Sequence, residues 1–231
     1  MEKALVLFSG GIDSTICLAL AIKKYAIKNV VALSINYGQR NEKELEAAKS
    51  IAKFYKVNHE IINISNLFKY SNSSMLKSSS KEIPKETYSK QLKKLNENER
   101  VSTNVPFRNG LMLSICASYA LENGYSVIYY GIHREDGVAY SLYPDCSFEF
   151  NYYMNLAIEA GTGNDVSIYA PLVNYGKSEI IKIGLDENVP FELTWTCYIS
   201  DDFPCGECTA CLDRIKAFKE NNINDKLIYK K

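Results

Sequence analysis

The fold is decided by residues 4–22, which read ALVLFSGGIDSTICLALAI. The apolar run at 4–8 predicts a buried strand, and the apolar spacing of 16–22 predicts a helix. Between them the chain turns sharply through Ser-Gly-Gly, which aims several backbone N–H groups and the positive end of the helix dipole at one point. Such a point suits an anion, so we expect residues 9–14, the pyrophosphate loop, to hold a pyrophosphate.

The residue types of this loop strengthen that interpretation. Gly10 and Gly11 let the backbone turn tightly and approach an anion without a Cβ in the way. Asp13, Ser14 and Thr15 add capping groups and hydroxyl donors. A Gly-Gly pair alone is more typical of an ordinary strand-turn-helix corner. The complete Ser-Gly-Gly-x-Asp-Ser string, placed at the first strand of an α/β chain, favours the anion site.

The loop is not a Walker A sequence, because no Gly-x-x-x-x-Gly-Lys-Ser/Thr occurs and no lysine follows the glycines. A Walker lysine stabilises charge during transfer of the γ-phosphoryl group. A loop that lacks it and grips the pyrophosphate end suits attack at the α-phosphorus. Pyrophosphate then leaves, and AMP stays on the substrate.

The remaining chain alternates strand and helix patterns. Further strands are predicted at 29–38, 60–64, 126–132 and 166–170, and helices at 42–55, 111–121, 148–160, from about 176, and at 209–221. Strand-helix-strand units of this length imply right-handed parallel crossovers. The sequence therefore predicts a doubly wound, mainly parallel five-stranded α/β sheet with a small C-terminal zinc-binding appendage.

We expect two parts in the chain of 231 residues. Residues 1–190 are predicted to form the nucleotide-binding α/β domain, and 191–231 a zinc knuckle and a C-terminal helix. The polar stretch at 65–104 favours disorder or a solvated excursion over a substrate lid, since long loops are either functional or disordered. The polar residues at 219–231 predict a frayed tail.

Composition excludes several classes of function. Lysine plus arginine equals aspartate plus glutamate, so the net charge is zero and no basic field attracts nucleic acid, which we do not expect as a partner. No apolar run is long enough for a membrane helix, and the N-terminus leads directly into a strand rather than a signal peptide. We therefore expect a cytoplasmic protein that does not associate with membranes.

Four of the seven cysteines predict a metal site. Cys197, Cys205, Cys208 and Cys211 follow the pattern Cys-x7-Cys-x2-Cys-x2-Cys, which is typical of tetrahedral zinc held by four thiolates. Such a site has no open position, so the zinc would be structural. An iron–sulfur cluster and unligated thiols are the alternatives. We call these four residues the cysteine knuckle.

Polar residues also follow the predicted strands, where ligands gather in open parallel sheets. The segment at 36–40 follows the second strand, and Arg108 and Asn109 open the helix after the polar stretch. Either residue suits a helix cap, and the arginine also suits a phosphate or carboxylate. Lys177 faces either solvent or the phosphates, and His133 favours a surface or hydrogen-bonding role over a ligand contact.

Taken together, these motifs resemble the 7-cyano-7-deazaguanine synthase family of the pyrophosphate-loop ATP pyrophosphatases. The resemblance runs from about residue 4 to 218. Besides the loop and the cysteine knuckle, it is carried by Asn36-Tyr37-Gly38-Gln39-Arg40, Val105-Pro106-Phe107-Arg108-Asn109, Tyr143-Pro144-Asp145-Cys146, Ala170-Pro171-Leu172 and Thr194-Trp195-Thr196-Cys197-Tyr198.

The resemblance implies an adenine nucleotide alpha hydrolase-like fold and an ATP-dependent, C–N bond-forming ligase of queuosine-precursor (preQ0) synthesis. The implied substrates are 7-carboxy-7-deazaguanine, ammonia and ATP, with Mg²⁺ and structural Zn²⁺ as metals and a homodimer as the assembly. The carboxylate would be adenylylated, ammonia would give the amide, and a second ATP would dehydrate the amide to the nitrile.

Site residues follow from the same resemblance. The catalytic residues are expected to be Asp13, Ser14, Arg108 and Asp145. The nucleotide- and cofactor-binding residues are expected to be Phe8, Ser9, Gly10, Gly11, Asp13, Ser14, Thr15, Asn36, Tyr37, Gln39, Arg108, Asn109 and Lys177, and the metal ligands Cys197, Cys205, Cys208 and Cys211.

The chain also departs from the usual family pattern. Asn36 stands in place of aspartate, Phe107 in place of glycine and Ser147 in place of arginine, and the loop at 133–143 is longer. These departures leave open a relative that transfers the activated carboxylate to a protein or nucleic-acid amine, or a tRNA-modifying ATP pyrophosphatase. A zinc module that binds nucleotide without turnover is a further alternative, disfavoured by the intact loop and the zero net charge.

Overall fold

The structure is a computed structural model that describes residues 2–96, 99–136 and 143–230. Its strands there are β1 (Ala4–Leu7), β2 (Val30–Asn36), β3 (Asn58–Asn63), β4 (Val127–Tyr129) and β5 (Ser167–Tyr169). Its α-helices there are α1 (Ile12–Tyr25), α2 (Lys43–Tyr55), α3 (Tyr88–Leu92), α4 (Arg108–Asn123), α5 (Phe148–Gly161), α6 (Lys177–Asp186) and α7 (Thr209–Glu220).

The strands form one parallel sheet in the order β3-β2-β1-β4-β5. The order reverses at β1, because the chain first winds outward to β3 and then returns to β4 on the other side. Open α/β sheets bind ligands at such a switch point, beyond the carboxyl ends of the strands. The predicted doubly wound parallel sheet is confirmed, and the pyrophosphate loop follows its central strand.

Two helical layers cover the sheet because side chains of a strand alternate between its faces. Ala4, Val6 and Phe8 point into a core shared with α1, α2, α6 and α7. Leu5 points to the opposite face, where α4 and α5 supply the partners. Both faces of β1 are therefore apolar, as expected for a buried parallel strand.

The C-terminal segment packs directly beneath the pyrophosphate loop. Trp195 N–H donates to the Gly10 carbonyl at 3.0 Å. Arg214 on α7 is 1% exposed and donates to Asp225 at 2.6 and 2.9 Å, to the Thr194 hydroxyl and to the carbonyl of Phe191. The expectation of a frayed tail is wrong for Asp225, since a buried guanidinium requires its carboxylate.

The polar stretch at 65–104 lies against the protein. Of its residues, Met75, Leu76, Ile83 and Val101 are buried. Lys77 N–H donates to the Gly38 carbonyl at 3.0 Å, which fastens the stretch to the end of β2. The expectation of a solvated excursion is wrong for these residues, because scattered apolar side chains find partners that lie far away in the sequence. We call residues 65–104 the lid segment.

No helix in the described parts of the chain combines the length and the apolar character that a membrane span requires. Among those residues, the longest helix is α4, with 16 residues.

Candidate active site

A cavity of about 890 Å³ opens beyond the carboxyl ends of the strands. It runs from the pyrophosphate loop to the start of α4, and the lid segment contributes part of its wall. Ten of the predicted site residues line it: Phe8, Ser9, Gly11, Asp13, Ser14, Tyr37, Gln39, Arg108, Asn109 and Lys177. The fold therefore brings together residues that are up to about 170 positions apart in the sequence.

The pyrophosphate loop depends on the conformation of Gly10. Its φ is +83°, a left-handed value that favours glycine. A Cβ at this position would lie 2.5 Å from the backbone nitrogen of Ala48 and 2.6 Å from the carbonyl oxygen of Glu44. Only a glycine thus allows the loop to pack against the first turns of α2.

Hydroxyl groups hold the loop from within. The Ser9 and Ser14 hydroxyls lie 3.1 Å apart, and Ser9 N–H donates to Ser14 Oγ at 3.2 Å. Gly11 N–H donates to Ser9 Oγ at 3.3 Å. These bonds are long and partly exposed, so an anion that accepts from the same donors can replace them.

Asp13 and Lys177 form an ion pair at the mouth of this loop. Lys177 Nζ lies 2.6 and 2.7 Å from the two carboxylate oxygens, and the side chains are 16% and 21% exposed. Burial by itself would raise the pKa of Asp13, but the charges of Lys177 and His133 lower it below its ordinary value. The loop therefore carries an ionised carboxylate and an ammonium group beside the expected phosphates.

His133, for which the sequence predicts a surface or hydrogen-bonding role, lies at the wall of the cavity beside two carboxylates. Its side chain is 11% exposed, lines the cavity, and has Glu135 Oε2 at 3.0 Å and Asp136 Oδ2 at 3.2 Å from its ring nitrogens. Burial lowers its pKa, but Asp136 and Glu135 outweigh that effect and raise the pKa above its ordinary value. Its position at the carboxyl end of β4 is the signal that identifies such a residue.

Arg108 is the cation at the far end of the cavity. Its guanidinium donates to Tyr37 Oη at 3.2 Å and lies 5.2 Å from the centre of that ring. Within the described residues, no carboxylate lies within ion-pair distance of it. A guanidinium that faces a cavity without a carboxylate partner is suited to an anionic group of a ligand.

Asp145 does not line the cavity but supports this arginine. Its carboxylate accepts from the backbone N–H of Asn109 at 2.8 Å, in the first turn of α4. Its carbonyl accepts from Tyr130 Oη at 2.9 Å. The short 3-10 turn at Pro144–Cys146 therefore fixes the N-terminus of the helix that carries Arg108.

Aromatic side chains from three regions form another wall. Tyr37, Tyr88 of the lid segment and Tyr198 beside the cysteine knuckle line the cavity. Tyr88 Oη lies 2.8 Å from Tyr143 Oη, which in turn lies 2.7 Å from the Thr103 hydroxyl. Burial raises the pKa of these tyrosines, so they remain neutral donors and acceptors at neutral pH.

Three predicted binding residues stand outside the cavity wall. Gly10 belongs to the loop but packs against α2, and Thr15 donates its hydroxyl to the Gly11 carbonyl at 2.7 Å. Asn36 uses its side chain to accept from Gly38 N–H at 3.0 Å, which shapes the turn after β2. Direct contact of these residues with ATP or substrate stays a prediction, as does the catalytic role of Asp145.

The departures from the family pattern also lie outside the wall. Phe107 has φ +54°, which explains why glycine suits this position, and its ring packs over Gly110, where a Cβ would lie 2.5 Å away. Ser147 caps α5 by accepting from Phe150 N–H at 3.0 Å. Most of the longer loop predicted at 133–143 lies outside the described residues.

The cysteine knuckle is a candidate metal centre. The four sulfur atoms all lie within 4.8 Å of one another. Backbone N–H groups of Ile199, Ser200 and Cys205 donate to Cys197 Sγ, and those of Glu207 and Cys208 donate to Cys205 Sγ. Such donors stabilise thiolates, so the donor set fits a single tetrahedral metal ion with four sulfur ligands.

Sequence comparison identifies close relatives. The profile of the family described as "Queuosine biosynthesis protein QueC" matches residues 3–222. A 7-cyano-7-deazaguanine synthase of Campylobacter jejuni is 40% identical over 232 residues, covering 99% of each chain. That of Archaeoglobus fulgidus is 38% identical over 98% of this chain and 90% of its own, and that of a Marinomonas species is 38% identical over 99% and 98%.

Solved structures with low sequence identity share the fold. An NMN synthetase from Francisella tularensis has a TM-score of 0.50 at 14% identity, covering 96% of this chain and 78% of its own. The U34-tRNA thiolase NcsA from Methanococcus maripaludis has a TM-score of 0.53 at 14% identity, covering 95% and 67%. The adenine nucleotide alpha hydrolase-like fold expected from the sequence is confirmed.

Proposed function

The chain belongs to the QueC family of queuosine biosynthesis proteins, and on this premise we propose that it is a 7-cyano-7-deazaguanine synthase. In this reaction ATP adenylylates the carboxylate of 7-carboxy-7-deazaguanine, and ammonia displaces AMP to give the amide. A second ATP activates the amide oxygen, and elimination leaves the nitrile. The observation that carries the proposal is the 40% identity with the Campylobacter jejuni synthase over the full length of both chains.

At one end of the cavity, residues 9–14 would bind the pyrophosphate portion of ATP. Ser9 and Ser14 would direct their hydroxyls to the phosphates, and the N-terminus of α1 would add its positive dipole. When ATP is bound, Lys177 would leave its ion pair with Asp13 and contact a phosphate oxygen instead. It would then neutralise negative charge on the leaving pyrophosphate. The ionised Asp13 carboxylate is suited to hold a Mg²⁺ ion, which would supply positive charge to the phosphates when bound.

At the other end, Arg108 would bind the substrate carboxylate and hold it in line with the α-phosphorus. Asp145 would position this arginine through the start of α4. Tyr37, Tyr88 and Tyr198 would enclose the flat deazaguanine ring, since aromatic faces stack well on such rings. No covalent bond between protein and substrate is needed in this sequence of steps.

The metal in the cysteine knuckle is proposed to be zinc with a structural role. Four thiolates fill the tetrahedral coordination of Zn²⁺ and leave no position for a substrate. Cys211 of the knuckle lies in the first turn of α7, whose Arg214 donates to Thr194 beside Trp195, and Trp195 N–H in turn donates to the Gly10 carbonyl. The metal would therefore stabilise the floor of the pyrophosphate loop.

A homodimer in the cytoplasm is the assembly that we propose. Helix α5 exposes Phe148, Tyr152, Tyr153 and Leu156 at 63, 54, 60 and 44% of their surfaces, and Ile158 is its only buried residue. A helix this apolar requires a covering surface. The seven cysteines are free, which suits the reducing cytoplasm.

One incubation tests the proposed reaction. The purified protein is supplied with ATP, Mg²⁺, 7-carboxy-7-deazaguanine and ammonium, and the products are identified by mass spectrometry. We expect the nitrile, with two AMP released for each nitrile formed. An adenylylated carboxylate without amide or nitrile would instead favour transfer to another amine, and the absence of any pyrophosphate release would contradict both readings.

A further inference from the structure

Glu44 lies in the first turn of α2 and borders the same cavity. The turn packs closely against the pyrophosphate loop at Gly10. A Cβ on Gly10 would lie 2.6 Å from the carbonyl oxygen of Glu44, so this contact requires a residue without a side chain. The cavity also contains Arg108 and Asn109 from α4. The glutamate thus shares one cavity with the pyrophosphate loop, where the adenylate is expected, and with Arg108, where the substrate carboxylate is expected.

Its two neighbours on the helix turn behave differently. Glu42 pairs with Lys77, and Glu46 pairs with Lys43 at 2.9 Å; both glutamates are exposed. Within the described parts of the chain, Glu44 makes no ion pair or side-chain hydrogen bond, and it is half-buried. It is therefore the carboxylate of this turn whose oxygens remain available to a bound molecule.

The surroundings of Glu44 set its protonation. Burial raises its pKa to about 7, and the charge of Arg108 only partly opposes that rise. Besides burial, the charge of Glu44 in turn helps to raise the pKa of Tyr37, just after β2, and of Tyr198, beside the cysteine knuckle. A carboxylate with a pKa close to the working pH exists in both forms and serves well as a general base.

The proposed reaction releases protons from nitrogen at two stages. When ammonia attacks the acyl adenylate, a C–N bond forms, the C–O bond to AMP breaks with its electron pair, and the new C–NH₃⁺ group must lose a proton. When the amide oxygen has been adenylylated, its nitrogen must lose two protons as the second C–O bond breaks. A proton acceptor beside the carboxylate carbon is therefore required.

We propose that Glu44 is this proton acceptor, a catalytic base that acts after adenylylation and has no part in it. The proposal rests on the proposed function and assigns the amine steps of that reaction. The carboxylate takes one proton from the nitrogen at the first stage and two in succession at the second, and it returns each to solvent through the open side of the cavity before it accepts the next. Adenylylation itself needs no base, because the substrate carboxylate is already ionised.

The test separates adenylylation from the amine step. For the Glu44→Gln protein, exchange of labelled pyrophosphate into ATP in the presence of 7-carboxy-7-deazaguanine should stay within about threefold of the wild type. Amide formation from ammonium at neutral pH should fall by about 10²- to 10³-fold. Hydroxylamine is a much weaker base than ammonia, so its adduct loses the proton to water without help and should still give the hydroxamate at close to the wild-type rate.

The matched control is Glu46→Gln, which changes an exposed glutamate on the same turn and should leave all three rates unchanged. Glu44→Asp keeps the negative charge but shortens the side chain by one methylene, so the carboxylate lies farther from the nitrogen. This variant should retain part of the amide formation. Amide formation by Glu44→Gln at the wild-type rate would overturn the proposal, as would an equal loss of exchange and amide formation. Absence of exchange in the wild type would overturn the proposed function itself and this inference with it.

Discussion

The two ends of the cavity are built in different ways. The pyrophosphate end comes from one continuous stretch, residues 9–14, and needs only Lys177 to complete it. The substrate end is assembled from single residues on separate elements, among them Tyr37, Glu44 and Arg108. In the proposed function, groups in the continuous stretch would act together on ATP, whereas each residue of the assembled end could serve a separate step.

This difference predicts different responses to mutation. A change in the pyrophosphate loop should abolish every ATP-dependent step, because both rounds of activation use the same loop. A change at the substrate end should affect one step and spare others.

The largest effect is expected at Asp13. Asp13→Asn removes the ionised carboxylate beside the phosphates and leaves Lys177 without its partner. Substrate-dependent pyrophosphate exchange should fall by about 10³-fold, the scale of a lost electrostatic contact in an active site. Asp186→Asn, an exposed position on α6, is the isosteric control. Exchange that survives in Asp13→Asn would show that the loop does not depend on this charge.

Loss of the metal should be the next largest effect. Cys208→Ser removes one of four sulfur ligands and should abolish stoichiometric zinc binding, with a decrease in Tm of about 10 °C. A chelator should lower the Tm of the wild type by a similar amount and that of the variant little. Full zinc content in Cys208→Ser would show that the ligand set is wrong.

Gly10 tests the contact that joins the loop to α2. Gly10→Ala places a side chain on a residue with a positive φ, and its Cβ would clash with two backbone atoms of α2. The substitution should lower the free energy of unfolding by about 3 kcal/mol. Gly163→Ala is a matched control, since Gly163 has φ +66° but nothing within 4 Å of its Cβ. The control should cost about 1 kcal/mol. Equal losses in denaturant unfolding would mean that the close approach to α2 contributes nothing.

The smallest effect is expected in the pH dependence of stability. The pKa of Glu44 is raised in the folded protein to about 7, so the folded state binds this proton more tightly than the unfolded chain. Stability contributed by the protonated group is therefore lost as pH rises towards about 7. Relative to the wild type, Glu44→Gln should gain about 2–4 °C in Tm between about pH 5 and pH 8. Glu46→Gln should show no such trend, and a flat difference for Glu44→Gln would place its pKa near the ordinary value.

Most of the fold was predictable because its signals are local. The strand, turn and helix at 4–22 and the alternating apolar patterns after them gave the parallel sheet, and the cysteine spacing gave the metal centre. The packing of the tail and of the lid segment against the protein depends on partners elsewhere in the chain. In the tail, for example, Asp225 pairs with Arg214 of α7. A polar composition alone does not reveal such partners.

The same distinction between local signals and distant partners holds for the site. The pyrophosphate loop is visible in the sequence because its residues are contiguous. Glu44 was not predicted, because it is a single polar residue whose place at the cavity depends on the packing of α2 against the pyrophosphate loop. His133 was predicted to make hydrogen bonds, but its place in the cavity wall depends on the fold. Phe107 illustrates a further limit, since its left-handed backbone becomes apparent only in the structure.

The central claim is that this chain activates a carboxylate by adenylylation at residues 9–14, and transfer of oxygen tests it most directly. 7-Carboxy-7-deazaguanine labelled with ¹⁸O in both carboxylate oxygens is converted with ATP, Mg²⁺ and ammonium, and the label is located by mass spectrometry. The account predicts that each of the two AMP molecules carries one ¹⁸O and that pyrophosphate carries none. Unlabelled AMP, or label in inorganic phosphate released beside ADP, would contradict it.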